Sequence, residues 1–147
     1  MKIAIIDTLG LEYNGNSLEH KGLGGSESAV IYISKELATL GHSVSVFCNC
    51  DVPGIYNGVI YSDHSNADVS GIYDIVIASR SVLPFYANNN YASLCSAASH
   101  KILWMHDTFC EGDNNIESMI QQGYIDEVFT LSDFHSWYFT SCDHGNK

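Results

Sequence analysis

The sequence predicts an α/β fold, an open parallel sheet with helices on both faces. Three observations predict it. Strand-like and helix-like stretches alternate along the chain. The run Asp74-Ile75-Val76-Ile77-Ala78-Ser79 is apolar at successive positions, as a central parallel strand covered on both sides must be. A glycine loop from Gly22 to Gly25 feeds an apolar-faced helix, and a further strand follows that helix at once. Together with the strand at the N-terminus this makes a strand–loop–helix–strand unit.

Taken in order, Lys2 to Asp7 or Thr8 is the first strand, and Leu9 to Leu23 is a polar loop with a turn at Asn14-Gly15-Asn16. The first helix runs from about Ser26 to Leu40, with Ser26 placed to cap it. Val30, Ile33, Leu37 and Leu40 recur at helical spacing, Glu27 and Glu36 suit helical positions, and Gly41 stops the helix. Ser43 to Cys48 is the second strand. Pro53-Gly54 and Asn57-Gly58 mark turns, and Val59 to Tyr61 is a short third strand. Asp68 to Tyr73 is loop or a short helix, and Asp74 to Ser79 is the fourth strand. Pro84 to Ser99 is ambiguous: Asn88, Asn89 and Asn90 interrupt it, and helix is available over Tyr91 to Ala98. Lys101 to His106 is the fifth strand and Asp107 to Asn114 a polar loop. Asn115 to Gly123 is a short helix, with Ile116, Met119 and Ile120 on one face. Glu127 to Leu131 is the sixth strand, and Ser132 can cap a last helix through Trp137 and Phe139.

Composition excludes several function classes. The 147 residues fit one domain, and 46% of them are apolar, as in a folded globular chain. The formal charge is −11, and the six basic residues are scattered. Nucleic-acid or anionic-membrane binding needs a basic patch, so neither is expected. No apolar run reaches the roughly 18 residues a membrane span requires. The N-terminus meets Asp7 too soon for a signal peptide. The five cysteines form no C-x-x-C pair and are odd in number, which points to reduced thiols in a cytoplasmic protein. Cys48-Asn49-Cys50 matches no common zinc spacing, and no metal is expected.

The residues that could carry chemistry stand at strand ends. Asp7-Thr8, Ser79-Arg80, His106-Asp107 and Ser132-Asp133 all lie at or just past carboxyl ends of predicted strands. In an open parallel sheet those ends converge on one crevice, here beside the glycine loop. Gly24 and Gly25 lead into a helix N-terminus, whose free amides and dipole favour an anion such as phosphate. Taken singly, His106 fits a half-buried structural histidine, and Asp107, Ser132 and Asp133 fit turns and caps. Dinucleotide binding does not fit, because G-x-G-x-x-G should directly follow the first strand, and here the glycines come late and read G-L-G-G-S-E. Asp51, after the second strand, stands in loose register for a ribose-binding acid. The P-loop lysine pattern is absent.

The order K-I-A-I-I-D, G-L-G-G-S-E, G-H-S-V-S-V-F, D-I-V-I-A-S, I-L-W-M-H-D and E-V-F-T-L-S-D-F-H resembles the Rossmann-like, acceptor-side N-terminal domain of retaining GT-B glycosyltransferases. The similar group is the one that includes glycogen, sucrose and lipopolysaccharide-type transferases, and the likeness covers nearly the whole chain. It implies one half of a two-domain enzyme, with acceptor bound on this side and a nucleotide sugar as donor substrate, without a metal or other cofactor. It implies His106 as the catalytic residue near the transferred sugar, and Gly24, Gly25, Ser26, Asp107 and Ser132 near substrate and diphosphate. Ser132 stands in S-D-F where the group commonly has S-E-F. The donor-binding C-terminal domain of that group, with its glutamate motif, has no counterpart in these residues. The expectation is therefore a chain inactive, or nearly so, without a donor domain, whose exposed crevice edge promotes self-association. The alternative is a non-enzymatic sugar- or anion-binding module on the same crevice.

Overall fold

The computed structural model describes residues 1–65, 71–86, 90–108 and 116–141. Its first unit is β1 (Lys2–Asp7), α1 (Gly25–Thr39) and β2 (Ser43–Cys48). β1 and β2 run parallel, paired from Lys2 with Ser43 to Asp7 with Cys48. β3 (Gly54–Tyr56) and β4 (Val59–Asp63) form an antiparallel hairpin, and β4 pairs parallel with β2. β5 (Ile75–Ser79) lies on the other side of β1. α2 (Ala92–Ala97), β6 (His100–Trp104), α3 (Ile116–Gln121), β7 (Glu127–Phe129) and α4 (Asp133–Ser141) complete the chain. Single turns of 3-10 helix occupy Ser17–Glu19 and Leu83–Phe85. The seven strands form one sheet in the order β3-β4-β2-β1-β5-β6-β7, parallel except for β3. This is the Rossmann-like open sheet that the sequence predicts.

Both faces of the sheet are covered, because successive side chains of a strand point to opposite sides. Ile3 and Ile5 of β1 join Val44 and Val46 of β2 and Val30 and Ile31 of α1 in one core cluster. Ala4 and Ile6 join Val76, Ala78, Leu103, Leu94 of α2 and Met119 of α3 in the other. The apolar run at β5 follows from this double burial.

Three readings need correction. Gly54–Tyr56 is a strand, not only the flank of a turn. Asn57 and Gly58 take φ values of 52° and 81°, the left-handed pair of a two-residue hairpin turn. The buried face of α1 is centred on Val30, Ile31 and Ser34, while Ile33 and Leu40 sit at its flank, 38% and 73% exposed. Ser34 belongs inside because its hydroxyl bonds Tyr61 Oη at 3.0 Å and Ile31 O at 3.0 Å. β6 and β7 stop earlier than the apolar runs suggest, at Trp104 and Phe129, so His106 and Leu131 lie beyond the ladder. Gly41 does end α1: its φ is 89°, and the bonds Gly41 N to Ala38 O and His42 N to Leu37 O close a Schellman motif. Parts of the predicted Asp68–Tyr73 and Asp107–Asn114 loops, Asn88 and Asn89, Cys110 and Cys142 lie outside the described residues.

The double-sided core makes a stability prediction. Leu103 is fully buried in β6, while Ile55 on the edge hairpin is 73% exposed. Leu103→Ala should cost about 2–5 kcal/mol in urea unfolding, and Ile55→Ala less than about 0.5 kcal/mol. Equal losses would contradict the assigned core.

Candidate functional site

β1 is the pivot of the sheet. Its neighbours are β2 on one side and β5 on the other, so the strand order reverses between β1 and β5. Ligands of open α/β sheets bind outside the carboxyl ends at such a point. Asp7 ends β1 and Ser79 ends β5, and the pairing of Ile6 with Ala78 sets them level. Ser79 in turn pairs with Trp104 at the end of β6. Asp7, Ser79 and Trp104 thus form one row across three strands, on the face that α1 covers.

Arg80, directly after β5, is the hub of this corner. Its Nη2 donates to Asp7 Oδ1 at 2.9 Å, to Leu9 O at 2.7 Å and to Glu27 Oε1 at 3.3 Å. Asp7 is fully buried and Glu27, in the first turn of α1, is 3% exposed. Tyr13 Oη donates to Asp7 Oδ2 at 2.9 Å, and Leu11 N donates to Glu27 Oε1. Burial pushes the Asp7 carboxyl above its ordinary range, against the pull of Arg80. Burial also opposes the charge of Arg80, but Asp7 and then Glu27 outweigh it and hold the guanidinium firmly protonated. Arg80 adopts φ 62°, a left-handed conformation that costs a non-glycine residue roughly 1–3 kcal/mol and persists where the surroundings impose it. Here the imposing contacts are the two carboxylates and the Arg80 N to Trp104 O bond at 3.0 Å.

The glycine loop is shaped by the same carboxylate. The α1 N-cap is Gly24, not Ser26, and no side chain caps the helix. A Cβ at Gly24 would collide with Glu27 Oε2, and one at Gly10 with Glu27 Oε1. These glycines let the loop close over Glu27. Within α1 the first amide to bond is that of Ser28, to Gly24 O, so the amides of Gly25, Ser26 and Glu27 have no partner within the helix. Gly25 is exposed and Ser26 partly so. The preceding loop is anchored: Asp51 accepts from Asn14 Nδ2 at 2.6 Å and from Lys21 Nζ at 2.9 Å. Asp51 therefore ties down the loop rather than standing free for a ribose.

His106 lies two residues past β6, its ring 4.3 Å from that of Trp104, centroid to centroid. Its Nε2 is buried without a hydrogen-bond partner. Burial, and then the charge of Arg80, push its pKa below the ordinary range, so the imidazole is neutral at pH 7. Asp107 and Ser132 are placed differently. The Asp107 side chain is exposed, while its carbonyl meets His135 Nε2 at 2.8 Å. Leu131 N donates to His135 Nδ1 at 3.2 Å, which leaves the imidazole proton on Nε2 for Asp107 O. Ser132 Oγ accepts from His135 N at 3.2 Å, so its hydroxyl is engaged as the α4 cap. Of the residues singled out in the sequence, Gly24, Gly25 and Ser26 stand at the α1 N-terminus, which Glu27 ties to the switch point through Arg80, and His106 follows β6, one strand beyond β5; Asp107 and Ser132 meet at the His135 junction.

A cavity of about 350 Å3 opens beside the end of β1, lined by Thr8, Leu9, His64, Leu83, Pro84 and Tyr91 among others. A larger one, about 530 Å3, lies at the opposite end of the sheet beside Lys101. There the Lys101 ammonium is already bonded to Gly123 O at 2.8 Å, so that cavity is remote from the strand-end chemistry. Among the described residues no three His, Cys, Asp or Glu side chains gather to hold a metal ion, no helix is long and apolar enough to cross a membrane, and Cys48, Cys50 and Cys95 are free and buried.

The raised pKa of Asp7 predicts a pH dependence with a definite sign. The folded state holds the Asp7 proton more tightly than the unfolded chain. Stability from this group therefore rises as pH falls through its folded pKa toward the ordinary carboxyl value. The difference in unfolding free energy, wild type minus Asp7→Asn, should grow in favour of wild type between pH 7 and pH 4. A difference that shrinks over that interval would mean that the fold favours the ionised carboxylate.

No protein-family model, no curated protein and no solved structure matches the chain.

Proposed function

We propose that this chain is the acceptor-side half of a nucleotide-sugar-dependent retaining glycosyltransferase. The observation that carries the reading is the buried, unpartnered Nε2 of neutral His106, whose ring lies close enough to Arg80 and Glu27 to feel their charges. A buried polar atom without a partner is rare in folded proteins, and a site awaiting a ligand is one reason for it. The order of motifs along the chain supports the same reading, as does the Rossmann-like sheet with its switch point at β1 and β5.

In this reading an acceptor hydroxyl attacks the anomeric carbon of the donor while the nucleotide diphosphate departs. Negative charge grows on the leaving phosphate, and fixed donors must meet it. The amides of Gly25, Ser26 and Glu27, with the α1 dipole behind them, supply part of that field. Neutral His106 hydrogen-bonds the transferred sugar or the leaving oxygen through Nε2. The cavity beside Thr8, His64 and Tyr91 offers room for an acceptor at the end of β1. A donor domain facing this crevice would bring the nucleotide. Ser132, engaged as a cap, acts by fixing His135 against Asp107.

The test uses the two-domain enzyme. His106→Ala should lower turnover at saturating donor about a hundredfold, as expected for loss of one oriented donor worth about 3 kcal/mol, with an unchanged thermal melt. Asp107→Asn should lower it less. Near-normal turnover in His106→Ala would make the histidine structural. Sugar binding without any transfer by the wild type would favour the non-enzymatic module.

A further inference from the structure

The two sides of α4 differ in kind. His135 is buried, with its ring between Leu131 N and Asp107 O, and Tyr138, one turn on, is half-buried. Phe134 and Trp137, also one turn apart, are 65% and 55% exposed, and their rings meet with centroids 5.7 Å apart. Single exposed apolar residues are ordinary, but two large aromatic side chains in contact at the surface form a patch. Leu131, just before the helix, is exposed as well. Asp133 is exposed and stands four residues before Trp137, so helix spacing puts it on the same face as the indole.

The charges around this face have one sign. From Ile102 to Asn146 the sequence contains no lysine or arginine. Asp107, which meets His135 through its carbonyl, exposes its side chain beside the same helix. Arg80, the cation that His106 feels, is already paired with Asp7 and Glu27. We propose that the outer face of α4, with Asp133, Phe134 and Trp137 at its centre, is a docking surface for a protein partner whose contact segment carries arginine beside apolar side chains. The aromatic pair takes the apolar part. A guanidinium can lie over an indole while it bonds a carboxylate, and Asp133 beside Trp137 offers both. An acidic partner is repelled by the same rim. Charge also opposes a second copy of this chain, since each carries −11 and a symmetric contact would set two faces of one sign together. Nothing in this surface depends on the glycosyltransferase reading.

The experiment titrates the full chain with three fluorescein-labelled helical peptides of equal length, built from leucine with arginine, serine with arginine, and leucine with glutamate. Anisotropy reads the affinity, and the Trp137 indole N–H signal in NMR reads the place of contact. The leucine–arginine peptide should bind and shift Trp137. The serine–arginine peptide should bind at least about tenfold more weakly, and the leucine–glutamate peptide should leave Trp137 unshifted. Trp137→Ala and, separately, Phe134→Ala should each weaken the leucine–arginine peptide about tenfold, as loss of a central aromatic contact does, with unchanged thermal melts. Asp133→Asn should weaken it about threefold at low salt and less at high salt, because salt screens an exposed pair. Equal binding of the two arginine peptides, or wild-type affinity in both aromatic variants, would overturn the proposal. So would a dimer in sedimentation that Trp137→Ala dissolves, which would give the face to a second copy. A Trp137 shift on phosphatidylcholine vesicles without peptide binding would overturn it too, in favour of a membrane.

Discussion

The ion cluster of Arg80 with Asp7 and Glu27 is the interaction on which the candidate site depends. It joins the end of β1, the first turn of α1 and the residue after β5. Through Leu9 O it also holds the start of the long loop. It adds a direct ionic tie between the α1 N-terminus and the strand ends at the switch point, beyond the apolar packing of Val30 and Ile31 on the sheet. The cluster sets two buried carboxylates against one guanidinium, and burial raises the pKa of Asp7 despite the pull of Arg80. Such a cluster adds little net stability compared with an apolar replacement, but removing one member leaves a buried charge unpaired. Its consequence here is geometric: it sets where the free amides of α1 stand relative to His106.

Much of the frame was legible in the chain. β1 and β5 are short, mainly apolar runs, and burial on both faces favours such runs. Gly41 announced the end of α1 because only a left-handed residue closes a Schellman turn easily. The hairpin strand Gly54–Tyr56 was harder: three residues of mixed character carry no periodicity, and only the Asn57-Gly58 pair signals it. The phase of α1 was misread because Ile33 and Leu40 are apolar yet sit on the flank, while Glu27 and Ser34 are polar yet buried. Both polar residues have partners from elsewhere, Arg80 and Tyr61, and sequence spacing within a helix cannot reveal partners from elsewhere.

The candidate site was legible by position but not by pairing. Strand ends drew attention to Asp7, Arg80 and His106 together. Arg80 and Asp7 are 73 residues apart, and Arg80 and Glu27 are 53 apart, so their ion pairs arise only from the strand order. Glu27 read as a helix-favouring residue, and its role beneath Gly10 and Gly24 needed the fold. The left-handed backbone of Arg80 was equally silent, since nothing in Ser79-Arg80-Ser81 resembles a turn signal. Ser132 does cap α4, as its place before the helix suggests, with its hydroxyl accepting from His135 N; the substrate contact that the resemblance implies for it is a separate matter from the cap.

The central claim is that Arg80 compensates two buried carboxylates and thereby holds the crevice. Urea unfolding of Arg80→Met, set against the triple replacement Asp7→Asn, Glu27→Gln, Arg80→Met, tests it most directly. The single change should cost about 3–5 kcal/mol, because it strands two buried charges, and the triple should recover a large part of that loss because it removes the charges together. A single replacement costing less than about 1 kcal/mol, or a triple no more stable than the single, would contradict the claim.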